Sequence, residues 1–413
     1  MADYDDRQSP SWSAGEAVGT MATKVLDLEI EAIPPSIGDL SGYTWALVLF
    51  RYRSVPVGKA YVPVVNGRIS QFELSAALTN LGWPLWQAKL QEYLAWDEHA
   101  ENDIPHVATV AVCTRDRPDD LRRCLEAFLR LPDDGQEFLV IDYAPSSDAT
   151  QILVESYNGR MRYVREDRPG LDIARNRALQ EARYDIVAFN DDDALPDPNW
   201  LRVLLRNFAD PLVVCVTGLT MPIELETEAQ EWFERCSSFV RGFTRTVYDQ
   251  TRLHPLAAGK VGAGANMALR RSVMDLVGPF DEALDAGTPT QSGGDTEMFF
   301  RILAAGYRIV YEPTAISWHR HRRTWEALRR ALYGYGVGVY ATWTRNLLYD
   351  REFAVFLRAL AWLRYDQLPN FIRAILLKPN HIPMDLLLAE WQGCLAGPLA
   401  YFKSKKSVSQ TTT

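Results

Sequence analysis

Asn190–Pro196 reads Asn-Asp-Asp-Asp-Ala-Leu-Pro, directly after the apolar run Ile186–Phe189. Three adjacent carboxylates repel one another by roughly 1 kcal/mol or more per pair near a surface, so a chain tolerates them most readily where a cation sits. Hard oxygen donors suit Mg²⁺ or Mn²⁺, which keep several waters and complete their shell with substrate phosphate. Taken alone, Asp191-Asp192-Asp193 reads more readily as a solvated acidic turn closed by Pro196 and Pro198. Three further groups have chemistry-bearing side chains. Arg168, Gly170, Arg175 and Asn176 precede or open a helical stretch. Gly170 permits close backbone approach, a helix N-terminus suits phosphate, and Arg can clamp it bidentately; the alternative for Arg175 or Asn176 is a cap or brace. Gly293-Gly294-Asp295-Thr296-Glu297 opens an amphipathic stretch with Met298, Phe299, Ile302 and Leu303 on its apolar side. Trp318–Arg323 sets His319 and His321 among Arg320, Arg322 and Arg323; the two rings share a face if a strand continues there.

The elements that must position these groups are legible from pattern. Residues 107–114 are a nearly all-apolar run, as in a strand buried on both faces. A helical stretch follows at 119–131, then strand-like 138–144, helical 148–158, strand-like 160–166, helical 171–182 and strand-like 184–190. Alternation of this kind predicts a doubly wound α/β sheet, in which ligands bind beyond the carboxyl ends of the strands. Thr114-Arg115-Asp116-Arg117, Asp142 and Asp191–Asp193 all stand at such ends, and this position turns the acidic run from a bland turn into a ligand site. The loop Gly262-Ala263-Gly264-Ala265-Asn266 leads into a strand. Its small residues serve either close approach to a sugar or acceptor or tight packing between strands.

The chain divides into a polar arm (1–24), a small α+β module (25–103), the α/β unit (104–323) and a mainly helical region (324–413). The module alternates like strands at 25–33 and 43–53, has an Asn66-Gly67 turn signal, and reads helical over 71–96 before an acidic linker at 97–106. With 413 residues and a net charge of −9, the chain has no basic excess for nucleic acid. Five scattered cysteines form neither a disulfide framework nor a zinc knuckle and fit a reducing compartment. The acidic start lacks the pattern of a secretory signal, and no apolar run is long enough to span a bilayer. A cytoplasmic protein is the expectation.

Six stretches taken in order resemble glycosyltransferase family two: residues 110–128, 139–150, 168–179, 186–201, 262–284 and 293–313. The resemblance covers roughly residues 105 to 335. It implies a glycosyltransferase A type Rossmann-like mixed sheet flanked by helices, and an inverting transfer of a sugar from a nucleotide-sugar donor to a hydroxyl acceptor. In the family, the turn after the first strand lies beside the nucleobase, matched by Thr114 and Arg115, and an Asp ending the second strand reads the base, matched by Asp142. Here Tyr143-Ala144 follows where the family often has Asn or Gly with Ser. The family's Asp-x-Asp implies Asp193 on the metal and Asp191 on the ribose or a metal-bound water, with Asp192 secondary. Arg117, Arg168, Gly170, Arg175 and Asn176 complete the implied donor side, and His319 is an implied third metal ligand. The resemblance also implies that an acid removes the proton from the acceptor hydroxyl. Asp295 is the first choice and Glu297 the second, with Gly264, Asn266 and Gly294 on the acceptor side.

The implied cofactor is Mg²⁺ or Mn²⁺, and the implied acceptor a glycan or lipid-linked saccharide. Two readings compete. A sugar-nucleotide pyrophosphorylase would show a Gly-rich basic loop after its first strand, and residues 113–120 are not that. A catalytically inactive scaffold would have no need to retain Asp142, Asp191, Asp193 and Asp295. Residues 370–413 carry Arg373, Lys378, Lys403, Lys405 and Lys406 against Asp385 and Glu390, five minus two or +3. Such a tail suits either peripheral contact with an anionic membrane or packing against the α/β unit or a second subunit, so a homo-oligomer stays open.

Overall fold

The computed structural model describes residues 22–94, 107–379 and 381–411. Most of the expected arm and the whole acidic linker lie outside these residues. The module holds β1 (Ala22–Glu29), β2 (Ser36–Ile37), β3 (Tyr43–Tyr52), β4 (Val55–Pro63) and β5 (Ile69–Ser70), then α1 (Gln71–Thr79) and α2 (Trp83–Tyr93). β1 begins inside the expected arm. The single helical stretch expected over 71–96 is two helices, separated where Gly82 takes φ +64°. Strand order β1-β3-β4 makes a three-stranded sheet. Its Leu47 and Leu49 pack on Leu219, Met221, Leu225 and Ile316 of the next unit, so the module is docked rather than free-standing. Arg51 Nη1 also reaches Asp197 Oδ2 at 2.5 Å.

The central unit runs β6 (Thr109–Thr114), α3 (Pro118–Phe128), β7 (Glu137–Tyr143), α4 (Ala149–Glu155), β8 (Arg162–Glu166), α5 (Leu171–Glu181) and β9 (Ile186–Asn190). It continues with β10 (Ala194–Pro196), α6 (Trp200–Leu205), β11 (Val213–Pro222), α7 (Glu228–Ser237), β12 (Thr246–Tyr248), β13 (Asn266–Arg270), α8 (Val273–Leu276), α9 (Gly294–Ala304) and β14 (Arg308–His319). The sheet order is β10-β14-β11-β13-β9-β6-β7-β8, with β12 on β14. Strands β8, β7, β6 and β9 are parallel, and β13 enters antiparallel to β9 and β11. Successive side chains of a strand point to opposite faces, and here both faces are covered. Ala111, Leu139 and Val187 face α5 and α9, while Val110, Val140 and Ala188 face α3 and α6. This explains the nearly unbroken apolar strands. The fold is the expected one: a mixed α/β sheet flanked by helices, with an α+β module before it and helices after it.

After the sheet come α10 (Trp325–Tyr349), α11 (Ala354–Trp362), a π turn (Leu363–Gln367), α12 (Leu368–Ile375) and α13 (Met384–Thr411). The stretch Tyr333–Tyr340, with Gly at alternate positions, is the seam between α10 and α13. A Cβ on Gly393 would stand 2.0 Å from Tyr333 O, and one on Gly336 would stand 2.3 Å from Glu390 O. On another side of α10, Gly338 lies against Ser292, so this pair of helices braces the loop that enters α9. Among the described residues no helix is long and apolar enough to cross a membrane.

Candidate functional site

The acidic run is shaped by Asn190 at the end of β9. Its Nδ2 donates to Asp191 O at 2.9 Å and Ala194 O at 2.8 Å, and its Oδ1 accepts from Ser317 Oγ at 2.6 Å. The turn feeds β10, whose antiparallel register sets Ala194 opposite His319 at the end of β14. Local turn and strand pairing thus bring together residues 126 positions apart. One ligand atom each from Asp191, Asp193 and His319 lies within 4.8 Å of the others, and His319 Nε2 stands 3.2 Å from Asp193 Oδ1. Two carboxylates and an imidazole suit a hard-to-borderline divalent ion such as Mn²⁺, and Mg²⁺ less well because of the nitrogen donor.

Asp192 points the other way. Its Oδ2 accepts from Thr114 Oγ1 at 2.7 Å and its Oδ1 from Arg117 Nη1 at 2.6 Å. Arg117 Nη2 reaches Asp193 Oδ2 at 2.8 Å, and Arg322 Nη1 reaches the same oxygen at 3.3 Å. Burial and the Asp193 charge push the Asp191 carboxyl above its ordinary range and that of Asp192 up to about 8. Burial opposes ionisation of Asp193 too, but His319, Arg117 and Arg322 together hold its carboxyl well below the usual range. The run therefore contains one firmly ionised carboxylate and two carboxyls whose charge a bound cation would stabilise.

These residues line a cleft of about 440 Å³ beyond the carboxyl ends of the strands. Of the candidates, Arg115, Arg117, Arg175, Asp191, Asp192, Asp193, Gly264, Asp295 and His319 line it. Asp295 is not the cap of α9, a position held by Gly293 at φ +101°; it sits in the first turn. Its Oδ2 accepts from Gly264 N–H at 2.7 Å and its Oδ1 from Thr296 N–H at 2.6 Å. Gly264 thus acts through its backbone, as a small-residue loop allows.

Other candidates are taken up elsewhere. Glu297 is fully buried and held by Arg301 at 2.6 and 2.7 Å and by Arg345 at 3.1 Å, which removes it as a base. Asn266 is a brace: its Nδ2 donates to Leu219 O and Ala315 O, and its Oδ1 accepts from Trp200. Asn176 pairs in both directions with the Phe280 backbone. Arg168 lies outside the cleft on Glu166 and Glu282, so it is not a phosphate clamp here. Arg175 lines the cleft, but its Nη1 is shared by Asp172 at 2.9 Å and Asp285 at 2.7 Å. Gly294 packs over Asp172, and Gly170 starts α5 at φ +144°. Asp142 is buried behind the lining with its Oδ2 taken by Tyr163 at 3.0 Å; burial raises its carboxyl. The sequence reading missed Tyr143, Asp285, Tyr335 and Glu390, all of which line the cleft. Of these, Tyr143 stood in a stretch already singled out, 139–150, whereas Asp285 falls one residue beyond 262–284.

A larger cleft of about 650 Å³ lies between the module and the central unit. Three of its arginines are paired within it, Arg51 with Asp27 and Asp197, and Arg206 and Arg245 with Glu312, and among the described residues it has no comparable ligand cluster.

Residues 109–276 match the family described as glycosyl transferase family 2. A pre-mycofactocin glycosyltransferase of Mycobacterium tuberculosis is 33% identical over 165 residues, which are 39% of this chain and 33% of that protein. The chain thus spans about a third of the length of that relative. The glycosyltransferase AglE of Haloferax volcanii is 24% identical over 68% of this chain and 86% of its own. Among solved structures, a mannosyltransferase of Pyrobaculum calidifontis in complex with GDP-Man and Mn²⁺ is similar at a TM-score of 0.45 and 20% identity, over 77% of this chain and 94% of that one.

Proposed function

Residues 109–276 are a glycosyl transferase family 2 domain, and from that premise we propose that the chain transfers a sugar from a nucleotide-sugar donor to a hydroxyl of a glycan or lipid-linked saccharide, with inversion. The observation that carries the reading is the shared cleft: Asp191, Asp193 and His319 in its lining together with Asp295. Asp191, Asp193 and His319 would hold Mn²⁺ or Mg²⁺, which when bound neutralises charge developing on the leaving nucleoside diphosphate. Arg115, Arg117 and Arg322 add positive charge to the same lining, and Arg117 also keeps Asp192 turned away from the ligand cluster. Asp295 accepts the proton of the acceptor hydroxyl. The two backbone N–H groups on its oxygens fix its direction; the Thr296 hydroxyl also donates to Oδ1, and Oδ2 keeps a further lone pair. Attack opposite the leaving group inverts the anomeric centre. A donor screen by thermal shift with UDP-, GDP- and dTDP-sugars, with and without Mn²⁺, tests the donor half. The expected result is metal-dependent stabilisation that Asp193→Ala removes while the variant stays folded; undiminished turnover in that variant would sink the assignment.

The C-terminal helices support a lipid-linked acceptor and action at a membrane surface. Phe353, Phe356, Leu357, Leu360 and Leu363 are exposed at helical spacing along one face of α11, Phe356 at 62% and Leu357 at 72%. The π turn widens the helix by one residue, so Leu368, Ile372 and Ile375 continue that face. On α13 a second exposed stripe includes Leu395 at 84%, and Trp391 beside it stacks on Phe371 of α12 with ring centroids 4.8 Å apart. Over 353–378, Arg358, Arg364, Arg373 and Lys378 stand against Asp366, four minus one or +3, on a chain of net −9. Lys403 and Lys406 extend the positive rim, whereas Lys405 is held by Asp281 at 3.1 Å. An apolar face rimmed by cations fits an anionic lipid surface. A two-fold contact between copies would oppose like charges. This surface supports peripheral binding at the cytoplasmic face of a membrane, a lipid-linked acceptor and a role in polysaccharide assembly.

A further inference from the structure

We propose that Arg241 is a specificity-determining residue: it binds an oxyanion, carboxylate or phosphate, that the acceptor carries beside the hydroxyl to be glycosylated. The proposal rests on the reading of this cleft as a transferase site with Asp295 as its base. It narrows the acceptor from any saccharide to one with a negative charge.

Among the described residues five arginines line the cleft: Arg115, Arg117, Arg175, Arg241 and Arg322. Four of them face a carboxylate. Arg115 has Asp116 at 3.8 Å, Arg117 has Asp192 and Asp193, Arg175 has Asp172 and Asp285, and Arg322 has Asp193. Arg241 has none among the described residues. Its bonds go to backbone carbonyls: Nη1 donates to Ser238 O at 2.7 Å and Val240 O at 3.4 Å, and Nε to Gly259 O at 3.3 Å. These bonds fix the guanidinium against the loop that follows α7. They take up N–H groups but bring no net negative charge. Nη2, with two N–H groups, has no partner among the described residues. Burial lowers the Arg241 guanidinium from its ordinary value, and Tyr311, Asp295 and Tyr248 offset this only in part. At Arg117 and Arg175 the same burial is outweighed by their aspartates. Burying a charge without a counter-ion is costly, and a guanidinium does not escape the cost by losing its proton. A ligand oxyanion supplies the missing partner through charge-assisted hydrogen bonds.

Arg241 stands on the acceptor side. Gly259 belongs to the 3₁₀ turn Pro255–Lys260, and a Cβ on it would stand 3.8 Å from Thr296 Cγ2. Thr296 Oγ1 in turn donates to Asp295 Oδ1 at 3.3 Å. One layer of residues thus separates Arg241 from the base. Among the cleft's carboxylates, Asp295 is the one whose charge acts on it most. The arginines beside Asp193, where a metal-bound diphosphate would lie, are Arg117 and Arg322. Ser237, at the end of α7, also lines the cleft, and its hydroxyl has no partner among the described residues. A guanidinium edge with a hydroxyl close by in the chain suits an oxyanion, whereas a neutral sugar needs no fixed charge.

Calorimetric titration of the full chain tests this with three probes: methyl glucoside, methyl glucuronide, and the glucoside phosphorylated at its primary hydroxyl. It is run with Mn²⁺ and the nucleoside diphosphate found by the donor screen, and again without either. At least one anion should bind roughly tenfold to a hundredfold more tightly than methyl glucoside, the range for a hydrogen bond to a charged group. Which anion does so identifies the oxyanion as carboxylate or phosphate. Arg241→Gln should remove the difference. Equal binding of all three probes to wild type, or a difference that survives in Arg241→Gln, overturns the proposal. So does an equal loss of nucleoside diphosphate binding in that variant, which would make Arg241 a donor ligand. If Arg241→Gln does not fold, Arg241→Lys replaces it, keeping the charge without the fork. A partial loss of the anion preference with methyl glucoside unchanged then supports the proposal, and an undiminished preference overturns it. If the preference holds but the donor screen shows no metal-dependent binding, the oxyanion site stands and the transferase reading fails.

Discussion

Asp295 and Glu297 are two residues apart on α9, and substituting each by its amide should separate chemistry from stability. Glu297 is fully buried, with both oxygens held by Arg301 and one also by Arg345. Removing one partner of a buried ion pair costs about 3–5 kcal/mol when the other charge is left alone. Here Arg301 keeps the carbonyls of Val277, Gly278 and Pro279, and Arg345 keeps Asp350. The lower end of that range, about 3 kcal/mol, is therefore the expected loss for Glu297→Gln. For a unit of more than 200 residues this lowers Tm by roughly 5 °C or more. Turnover measured well below Tm should stay near wild type, because Glu297 does not line the cleft. Asp295→Asn keeps one backbone partner on its carbonyl oxygen and turns its NH2 towards the other N–H, a loss of about 1 kcal/mol at a half-buried position, so Tm should fall by no more than about 4 °C. It loses the proton acceptor, and general-base removal costs roughly 10²–10⁴-fold in kcat. The assays are thermal melting by circular dichroism and release of nucleoside diphosphate from the donor identified by the screen. Near-native turnover in Asp295→Asn, or a large loss in Glu297→Gln with unchanged Tm, would refute this division of roles.

Three further outcomes are expected. Burial raises the Glu390 carboxyl from its ordinary value to about 7. Between about pH 4.5 and 7 the unfolded chain has thus lost a proton that the folded chain keeps, so stability falls as pH rises through that window; Glu390→Gln should flatten the fall in denaturant melts, by at most about 3 kcal/mol. Gly393→Ala would set a Cβ 2.0 Å from Tyr333 O, forcing α10 and α13 apart; a loss of roughly 1–3 kcal/mol in urea unfolding is expected, and an unchanged midpoint would show that the seam is loose. Leu357→Glu with Leu360→Glu, both at exposed positions, should abolish flotation with phosphatidylglycerol-containing vesicles while leaving Tm unchanged, whereas equal flotation of the variant or none for wild type removes the membrane contact.

The strand-helix alternation from Val107 to Asn190 was legible because strands buried on both faces leave an almost uninterrupted apolar signal, and β6, β7 and β9 have that burial. The acidic run was legible for the same reason: its position after such a strand, rather than its charge, marked it as a site. His319 was reachable through the resemblance, but its ring lies beside Asp193 because β10 pairs with β14, a register that no local window contains. The misread residues share one cause. A polar side chain shows its type in the sequence but not which of its hydrogen bonds are already taken. Asn266 looked available for a sugar and is saturated by Leu219, Ala315 and Trp200. Arg168 looked available for phosphate and faces two glutamates, one of them 114 residues away. Glu297 and Asp295 look alike along the chain, yet the helical turn sends one into a pair of arginines and the other against a backbone amide of the glycine loop.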